Sequence, residues 1–320
     1  MSARSTASLS LDLDNQWSYM KTHGDPGHES FPSYLDVVVP RVLEMLDRKG
    51  LAITFMIVGQ DAALEKNLEA LRSIGGSEHE VGNHSFHHEQ WMHKRSEDEI
   101  EAELALAERH IEAATGRKCE GFRGPGYVLS PAVLRVLSRR GYRYDASTFP
   151  TYLGPLARAY YFMTAKLTRE QREERKDLYG GLRDGWQPVT PYAWDVGGRP
   201  LLEIPVTTLP VFKLPFHVSY ALYLSVASPA LGRAYFKTAL AFCRLVGVQP
   251  SILLHPLDFL GKEDVPELAF FPAMGLEARK KLAVVESLLD TLANDFRVLP
   301  LGAHAREILA AGRLQTRSLG

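Results

Sequence analysis

The chain has 320 residues, of which 45% are hydrophobic and 23% are charged, and its formal net charge at pH 7 is −1. These values are ordinary for a folded globular protein, and the balanced charge gives no electrostatic case for nucleic-acid binding. The two cysteines, Cys119 and Cys243, are too few for a disulfide framework or a thiolate cluster. A metal ion in this chain would therefore need nitrogen and oxygen ligands.

Two stretches bear on localisation. Residues 1–8 are short and polar and precede a strand directly, without the apolar core of a signal peptide, which predicts a cytoplasmic protein. Residues 209–248 are the most apolar part of the chain, but prolines and basic residues interrupt them. No uncharged apolar run of roughly 18 residues remains there, which argues against a membrane-spanning helix.

The first predicted element is a strand over residues 8–14, in which apolar and polar residues alternate strictly. The leucines lie on one face, and Ser10, Asp12 and Asp14 lie on the other. Two carboxylates at one end of one face favour a functional site, although the exposed polar face of an edge strand would show the same alternation.

The remaining elements alternate between helix and strand. Helices are predicted at Tyr34–Lys49, from an Asp61 cap to about Ser73, from Ser96 through Ala114, from Ser130 to Arg140 and at Leu276–Leu292, and strands at 53–59, 120–123, 142–145, 201–206, 251–255 and 296–299. This order predicts a parallel sheet in a closed or nearly closed α/β barrel. We expect one barrel domain over residues 1–320, with insertions at about 151–200 and 209–248.

Histidines His84 and His88 follow a short apolar segment and are four residues apart. If a helix starts there, both imidazoles project from one face and can share a metal ion. The pair alone fits a surface helix equally well. A zinc protease of the H-E-x-x-H type is excluded, since neither His79-Glu80 nor His88-Glu89 completes that motif.

Seven polar residues share one predicted position, the C-terminal end of a strand. They are Asp12, Asp14, His84, His88, Arg123, Asp145 and His255. The loops at that rim of a parallel barrel converge on one active-site mouth. One carboxylate and two imidazoles can hold a metal that activates water and polarises a carbonyl. A second carboxylate, kept ionised by an arginine, and a further histidine can then act as base and acid in amide hydrolysis.

Five motifs connect these residues to a known family. They are Asp12-Leu13-Asp14, His84-Ser85-Phe86-His87-His88, Phe122-Arg123-Gly124-Pro125, Tyr144-Asp145-Ala146-Ser147 and Leu254-His255-Pro256. In this order they resemble the polysaccharide deacetylase superfamily, carbohydrate esterase family 4, with its chitooligosaccharide-deacetylase homology domain. The resemblance extends from about Leu9 to Leu301. It implies a distorted (β/α)7 TIM-like barrel, here with an aromatic and apolar insertion on the catalytic face.

The resemblance also implies a role for each motif residue. Asp12 would be the general base, Arg123 its partner and His255 the general acid. Asp14, His84 and His88 would bind one divalent metal ion, zinc or alternatively cobalt or nickel. Ser85 would support the histidine turn, and Asp145 would be a substrate or supporting contact.

The chain departs from the family pattern at two places. Leu13 separates the two aspartates, which are adjacent in many members, but this spacing keeps both on one strand face. Many members have an aromatic residue directly after the proline of the third motif, where this chain has Gly126 followed by Tyr127. We expect a backbone N–H there to donate to the oxyanion, without the aromatic side-chain wall.

A cytoplasmic enzyme meets no cell-wall polymer, so we expect a small, nucleotide-linked or lipid-linked amino sugar or glycolipid as substrate. The predicted activity is metal-dependent removal of an N-acetyl or N-formyl group. One alternative is an amidohydrolase of cyclic, allantoin-like amides, and another is a non-catalytic carbohydrate- or lipid-binding member. Residues 209–248 are predicted either to pack in the core or to form a flank for peripheral membrane contact or a lipid tail.

Overall fold

The structure is a computed structural model that describes residues 4–319, so part of the predicted polar N-terminal segment lies outside the described residues. The strands are β1 (Thr6–Leu13), β2 (Thr54–Ile57), β3 (Glu80–Asn83), β4 (Gly121–Phe122), β5 (Tyr144–Asp145), β6 (Tyr192–Val196), β7 (Arg199–Glu203), β8 (Ser251–Leu254), β9 (Arg297–Leu299) and β10 (Thr316–Ser318). The α-helices are α1 (Gln16–His23), α2 (Leu35–Lys49), α3 (Gly59–Ala62), α4 (Leu68–Gly75), α5 (Glu97–Thr115), α6 (Pro131–Arg140), α7 (Gly154–Thr164), α8 (Arg169–Glu174), α9 (Val218–Ala227), α10 (Pro229–Leu245), α11 (Ala278–Asp295) and α12 (Leu301–Ala311).

All the strands belong to one sheet, in the order β10-β6-β7-β5-β4-β3-β2-β1-β8, with β9 paired to the N-terminal end of β1. From β7 to β8, seven consecutive strands in this order run parallel. The predicted α/β class with a (β/α)7 arrangement is confirmed. The sheet is not closed, because β7 and β8 are not paired as strands. The backbone N–H of Thr207 nevertheless donates to the Ser251 carbonyl at 3.0 Å across that gap.

Strand β1 lies inside the sheet, between β2 and β8. Its leucines Leu9, Leu11 and Leu13 are buried in the main hydrophobic core, as the alternating pattern predicted. Its other face carries Ser10 and Asp12, which are also buried. The strand therefore has a polar face inside the protein, and those polar groups need hydrogen-bond or charge partners there.

Several helix ends lie where local sequence signals predicted them. Helix α2 ends at Gly50, whose φ of 60° is the left-handed conformation that glycine adopts at little cost. Helix α5 begins with the predicted capping box between Ser96 and Glu99, and α6 begins after Ser130, whose side chain accepts the Val133 N–H.

Two predicted elements were wrong in detail. Asp61 does not cap a helix: it lies within the short helix α3, fully buried, and a 3₁₀ turn separates α3 from α4. The strand expected at 201–206 is present as β7, but it begins and ends earlier than predicted and also forms a hairpin with β6, which was not predicted. The turn of that hairpin is Gly197-Gly198, both with positive φ, which favours the two-residue turns that match strand twist.

Residues 209–248 form the helical pair α9 and α10, and much of their apolar surface faces the main core. Phe216 and Phe236 are buried there with ring centroids 6.0 Å apart, and Leu240 is buried beside them. Within residues 4–319, no helix is both long and apolar enough to cross a membrane. The core-packing interpretation therefore accounts for the inner face of this segment.

Two substitutions on α10 measure that packing. Phe236 is 1% exposed, whereas Leu245, on the same helix, is 80% exposed. We expect Phe236→Ala to lower the free energy of unfolding by about 3–5 kcal/mol, because a buried aromatic ring leaves a cavity. The matched Leu245→Ala should change it by less than about 0.5 kcal/mol. Urea unfolding followed by circular dichroism provides the measurement, and equal effects of the two changes would contradict core packing.

Candidate metal centre and active site

A buried ion pair joins β1 to the loop after β4. Arg123 is fully buried, and its Nη1 donates to Asp12 Oδ1 at 2.6 Å and to Ser10 Oγ at 2.9 Å. Its Nε donates to the Ala146 carbonyl at 2.8 Å. The structure thus places Asp12 and Arg123 side by side, as the proposed base and its partner require.

Asp14, His84 and His88 form a cluster whose possible ligand atoms all lie within 4.8 Å of one another. His88 Nε2 is 2.9 Å and His84 Nε2 is 3.2 Å from Asp14 Oδ1. All three side chains are buried. The three residues predicted as metal ligands are therefore brought together.

The electrostatics of the cluster favour a bound positive charge. Burial by itself would raise the pKa of Asp14, but the two nearby imidazoles lower that pKa well below its usual range. Burial would likewise lower the pKa of His84, but the Asp12 and Asp14 carboxylates raise it overall. The two carboxylates thus stabilise positive charge at this point, whether it comes from a proton or from a metal ion.

Hydrogen bonding also suits these residues to a divalent ion. His84 Nδ1 is 2.6 Å from the Arg123 carbonyl, which can only accept, so Nδ1 carries the proton. In a neutral ring, Nε2 of His84 then presents a lone pair toward Asp14 Oδ1, which is also an acceptor. A cation bound by both atoms satisfies them, and a backbone carbonyl that orients a ligating imidazole is common in metal sites. One carboxylate and two imidazoles are a ligand set used by zinc.

The two histidines do not meet across a helix, contrary to the prediction. Residues 84–88 form a loop, in which Ser85 and His88 have φ values of 61° and 52°. Ser85 Oγ accepts the His88 N–H at 3.1 Å, so this serine supports the turn, as the resemblance implied. The prediction that His84 and His88 lie together was therefore right, but the helix on which it was based is absent at residues 84–88.

Residues outside the motifs hold this loop, and the sequence analysis missed them. Buried Glu103 on α5 accepts the backbone N–H groups of Phe86 and His87 at 2.9 and 2.7 Å. Its second oxygen is 2.6 Å from His87 Nδ1, which turns His87 away from the cluster. Asn83 Oδ1 accepts the Ser85 N–H at 2.8 Å. The sequence contained one signal for this contact: Glu103 lies on the otherwise apolar face of a predicted helix, which indicates a buried carboxylate with a polar partner.

A second missed group is Asp61. Its Oδ1 accepts from Asn15 Nδ2 at 2.7 Å and Trp17 Nε1 at 2.9 Å, which ties α3 to the residues that follow Asp14. Burial raises the pKa of Asp61 to about 7, despite these hydrogen bonds. Asn15 also caps α1, and Tyr34 Oη donates to the Asp14 carbonyl at 2.6 Å. Asp61 therefore supports the backbone that carries the proposed ligand.

His255 lines the same cavity of 160 Å³ as Asp12 and the Asp14, His84 and His88 cluster; we call it the metal cavity. Its Nδ1 is 3.1 Å from Ser219 Oγ. Its backbone N–H donates to Asp258 at 2.9 Å. Buried Lys281, whose pKa burial lowers to about 8, lines the cavity nearby.

Gly126 and Tyr127 also line the metal cavity. Gly126 has a φ of 61°, and a Cβ there would come within 3.0 Å of the Gln90 side chain, so the position favours glycine. Tyr127 stacks on Phe149 at 4.6 Å. The absence of an aromatic wall was therefore wrongly predicted, because Tyr127 supplies one from the next position.

Asp145 is fully buried and does not line the metal cavity. It accepts from Ser147 Oγ at 2.6 Å, and Ser147 Oγ in turn accepts the Gly124 N–H at 2.9 Å. Burial and the neighbouring Glu203 carboxylate raise the pKa of Asp145 well above its usual range. Of the two roles considered, the structure favours support of the loop that carries Arg123 over substrate contact.

Comparisons with known proteins agree with the family resemblance that the sequence motifs indicated. The polysaccharide deacetylase family model matches residues 28–144. A curated relative, the peptidoglycan-N-acetylmuramic acid deacetylase of Bacillus subtilis, is 30% identical over 111 residues, which are 34% of this chain and 41% of that protein. The matched region of this chain thus spans less than half of that relative. The family match at residues 28–144 includes His84, His88 and Arg123 but not Asp12, Asp14 or His255.

Solved structures extend the likeness of fold to the whole chain. A protein described as a polysaccharide deacetylase from Mycobacterium smegmatis has a TM-score of 0.65 at 20% identity, covering 100% of this chain and 96% of that one. An allantoinase has a TM-score of 0.57 at 16% identity, covering 96% and 91%. The family model and the curated relative confirm the resemblance to the polysaccharide deacetylase superfamily, and the solved structures show the same fold.

Removal of two imidazoles tests the metal centre directly. We expect the double variant His84→Ala, His88→Ala to lose zinc binding, because a single carboxylate cannot hold the ion against water. His87→Ala is the matched control, since His87 lies in the same loop but faces away from the cluster. Metal content after zinc loading and dialysis, measured by mass spectrometry, should be about one ion for the control and near zero for the double variant. Equal content in both would rule out this site.

Proposed function

We propose that the chain is a metal-dependent hydrolase that removes an N-acetyl or N-formyl group from an amino sugar. One observation carries the proposal: a single cavity is lined by the carboxylate paired with Arg123, by the Asp14, His84 and His88 cluster and by His255. A cavity that brings together two proton-transfer groups and a cation site matches the needs of amide hydrolysis.

The chemical step needs two proton transfers. A water oxygen bonds to the carbonyl carbon while Asp12 accepts a proton from that water. The carbon–nitrogen bond then breaks, and His255 donates a proton to the leaving amine, so that the products are a carboxylic acid and a free amino sugar. The acid loses its proton to solvent, and Asp12 and His255 return to their starting states by exchanging protons with solvent. Arg123 holds Asp12 in place through the 2.6 Å ion pair. Gly126 and Tyr127 line the cavity wall, and we propose that they contact the acyl group.

A divalent ion held by Asp14, His84 and His88 would supply the Lewis acidity that this step requires. We propose zinc as that ion, with cobalt or nickel as substitutes, because the ligands are two imidazoles and one carboxylate. His84 would ligate through Nε2, since its Nδ1 faces the Arg123 carbonyl.

The proposed substrate is an acetylated or formylated amino sugar on a cytoplasmic or lipid-linked glycoconjugate. The curated relative from Bacillus subtilis is named for an N-acetylated amino sugar of peptidoglycan, which supports the class. The cytoplasmic location and peripheral membrane contact through residues 209–248 stay predictions.

A leaving-group comparison separates the roles of the two proton-transfer residues. We expect Asp12→Asn to lower kcat/KM about 10²- to 10⁴-fold on both an N-acetyl amino sugar and p-nitrophenyl acetate, because both need an activated water. His255→Ala should show that loss on the amide but less than about a tenfold loss on the ester, since p-nitrophenolate leaves without a proton. Equal losses of His255→Ala on both substrates would contradict its role as acid. Retained metal content is the control for both variants.

The function itself is tested by product release. Protein loaded with zinc, cobalt or nickel is incubated with N-acetyl and N-formyl amino sugars, free and lipid-linked, and released acetate or formate is measured. We expect release from at least one of them, and its dependence on His84 and His88. Ring opening of allantoin without release from any sugar would establish the cyclic-amide alternative, and carbohydrate binding without turnover would establish a non-catalytic member.

A further inference from the structure

A larger cavity of 560 Å³ adjoins the metal cavity; we call it the aromatic cavity. The two cavities share Thr22, Tyr179, Tyr223, Phe271 and Pro272 in their walls. Its volume lies within the range of about 300–1,000 Å³ found for small-molecule sites. Because the walls are shared, one molecule can place a reacting group in the metal cavity and another part in the aromatic cavity.

The wall of the aromatic cavity is mostly apolar. Helix α7 contributes Leu156, Ala157 and Tyr160, and α9 contributes Tyr220. Phe270 also lines the cavity, from the segment before α11. No Asp, Glu, Lys or Arg side chain of residues 4–319 lines it. The insertion at 151–200 therefore takes part in this cavity, while residues 209–248 contribute Tyr220 and Tyr223.

Several polar atoms of the lining residues are already bonded within the protein. His23 uses Nδ1 toward Asp25 at 2.6 Å and Nε2 toward the Thr164 carbonyl at 3.0 Å, and its ring stacks on Phe270 at 3.7 Å. Tyr161 Oη donates to the Thr22 carbonyl at 2.7 Å. These residues thus present ring faces rather than free hydrogen-bonding groups to the cavity.

A polar cavity of 190 Å³ adjoins the metal cavity as well, and the two share Gln90, Gly126, Tyr127 and Tyr179. Its wall includes the side chains of Asp177, Asp184 and Gln187. Sugar hydroxyls need hydrogen-bond partners when they leave water, and an unpartnered hydroxyl is costly to bury. The polar cavity offers such partners through its acidic and amide side chains, whereas the aromatic cavity offers mainly ring faces and aliphatic groups.

We propose that the aromatic cavity binds a hydrocarbon chain of the substrate, so that the molecule hydrolysed in the metal cavity is amphiphilic. This inference rests on the proposed function. The chain has two possible sources with the same chemistry: an alkyl or prenyl group carried by an N-acetylated or N-formylated sugar, or an N-acyl group longer than acetyl, which would extend the proposed reaction to longer acyl groups. Leu156 and Tyr160 are exposed at the opening, which leaves room for a chain to continue outward.

Two substrate series distinguish the sources. In one, the N-acyl group of glucosamine grows from two to eight carbons; in the other, the alkyl group of an N-acetylglucosaminide grows from one to eight. Each methylene buried from water contributes up to about fourfold in binding, equivalent to about 0.8 kcal/mol. We expect kcat/KM of the zinc-loaded protein to rise at least tenfold from the shortest to the longest member of one series, below the micelle concentration. Flat profiles in both series would overturn the proposal.

Variants on α7 locate the effect. Leu156 lines the aromatic cavity and is 66% exposed, whereas Met163 on the same helix is 82% exposed and does not line it. Leu156→Asp should reduce the ratio of long-chain to short-chain kcat/KM at least tenfold, and Met163→Asp should leave it unchanged. Ala157→Phe, which fills the cavity without adding charge, should act as Leu156→Asp does. A ratio that survives both cavity variants would overturn the proposal.

Binding without turnover separates this inference from the proposed function. Octyl glucoside has a hydrocarbon chain but no amide, and its binding to metal-free protein below the micelle concentration can be measured by calorimetry. We expect wild type and Met163→Asp to bind octyl glucoside with equal affinity, and Leu156→Asp to bind it at least tenfold more weakly. That result supports the hydrocarbon site even if no amide is hydrolysed, whereas equal binding to all three proteins would overturn the site even if deacetylation is found.

Discussion

The buried guanidinium of Arg123 is the constraint around which the site is arranged. Removing a charge from water costs several kcal/mol, which only a well-placed partner offsets, so Arg123 requires the Asp12 carboxylate at 2.6 Å. The same residue acts through its backbone, because its carbonyl faces His84 Nδ1 and directs Nε2 toward Asp14. One residue therefore fixes the proposed base through its side chain and orients a proposed metal ligand through its main chain. This coupling explains how residues from β1, the loop after β3 and the loop after β4 reach one geometry.

Support from outside the motifs makes this arrangement rigid. The histidine loop adopts left-handed backbone at Ser85 and His88, a conformation that costs free energy for residues other than glycine. Glu103 offsets that cost by accepting two backbone N–H groups of the loop. On the opposite flank, Asp61 receives hydrogen bonds from Asn15 and a neighbouring tryptophan. These buried carboxylates hold the site in place, which is why they are polar residues inside an otherwise apolar core.

Sequence patterns predicted the framework because local signals specify it. The alternating pattern predicted β1 with Asp12 near its end and Asp14 just beyond it, and the other site residues follow predicted strand ends. The errors arose where long-range contacts decide. The spacing of His84 and His88 suits a helix, but the side-chain oxygens of Asn83 and Glu103 accept backbone N–H groups and stabilise a loop instead. Sheet closure depends on the distance between β7 and β8, to which no local pattern refers. The β6–β7 hairpin was predictable, since Gly197-Gly198 is a strong turn signal that was overlooked.

Apolar composition alone could not show which insertion faces the substrate. Residues 209–248 are the more apolar of the two, yet their large side chains, such as Phe236, mostly fill the core. The insertion at 151–200 is more polar on average, but α7 turns Leu156, Ala157 and Tyr160 toward the aromatic cavity beside the proposed metal site. Asp12 lies on a strand and the other proposed reacting residues closely follow strand ends, whereas the aromatic cavity is built largely from inserted segments. Under the proposed function, the reacting groups and the groups that select the substrate thus lie on different parts of the fold, and changes in the insertions would alter substrate choice without altering the reacting groups.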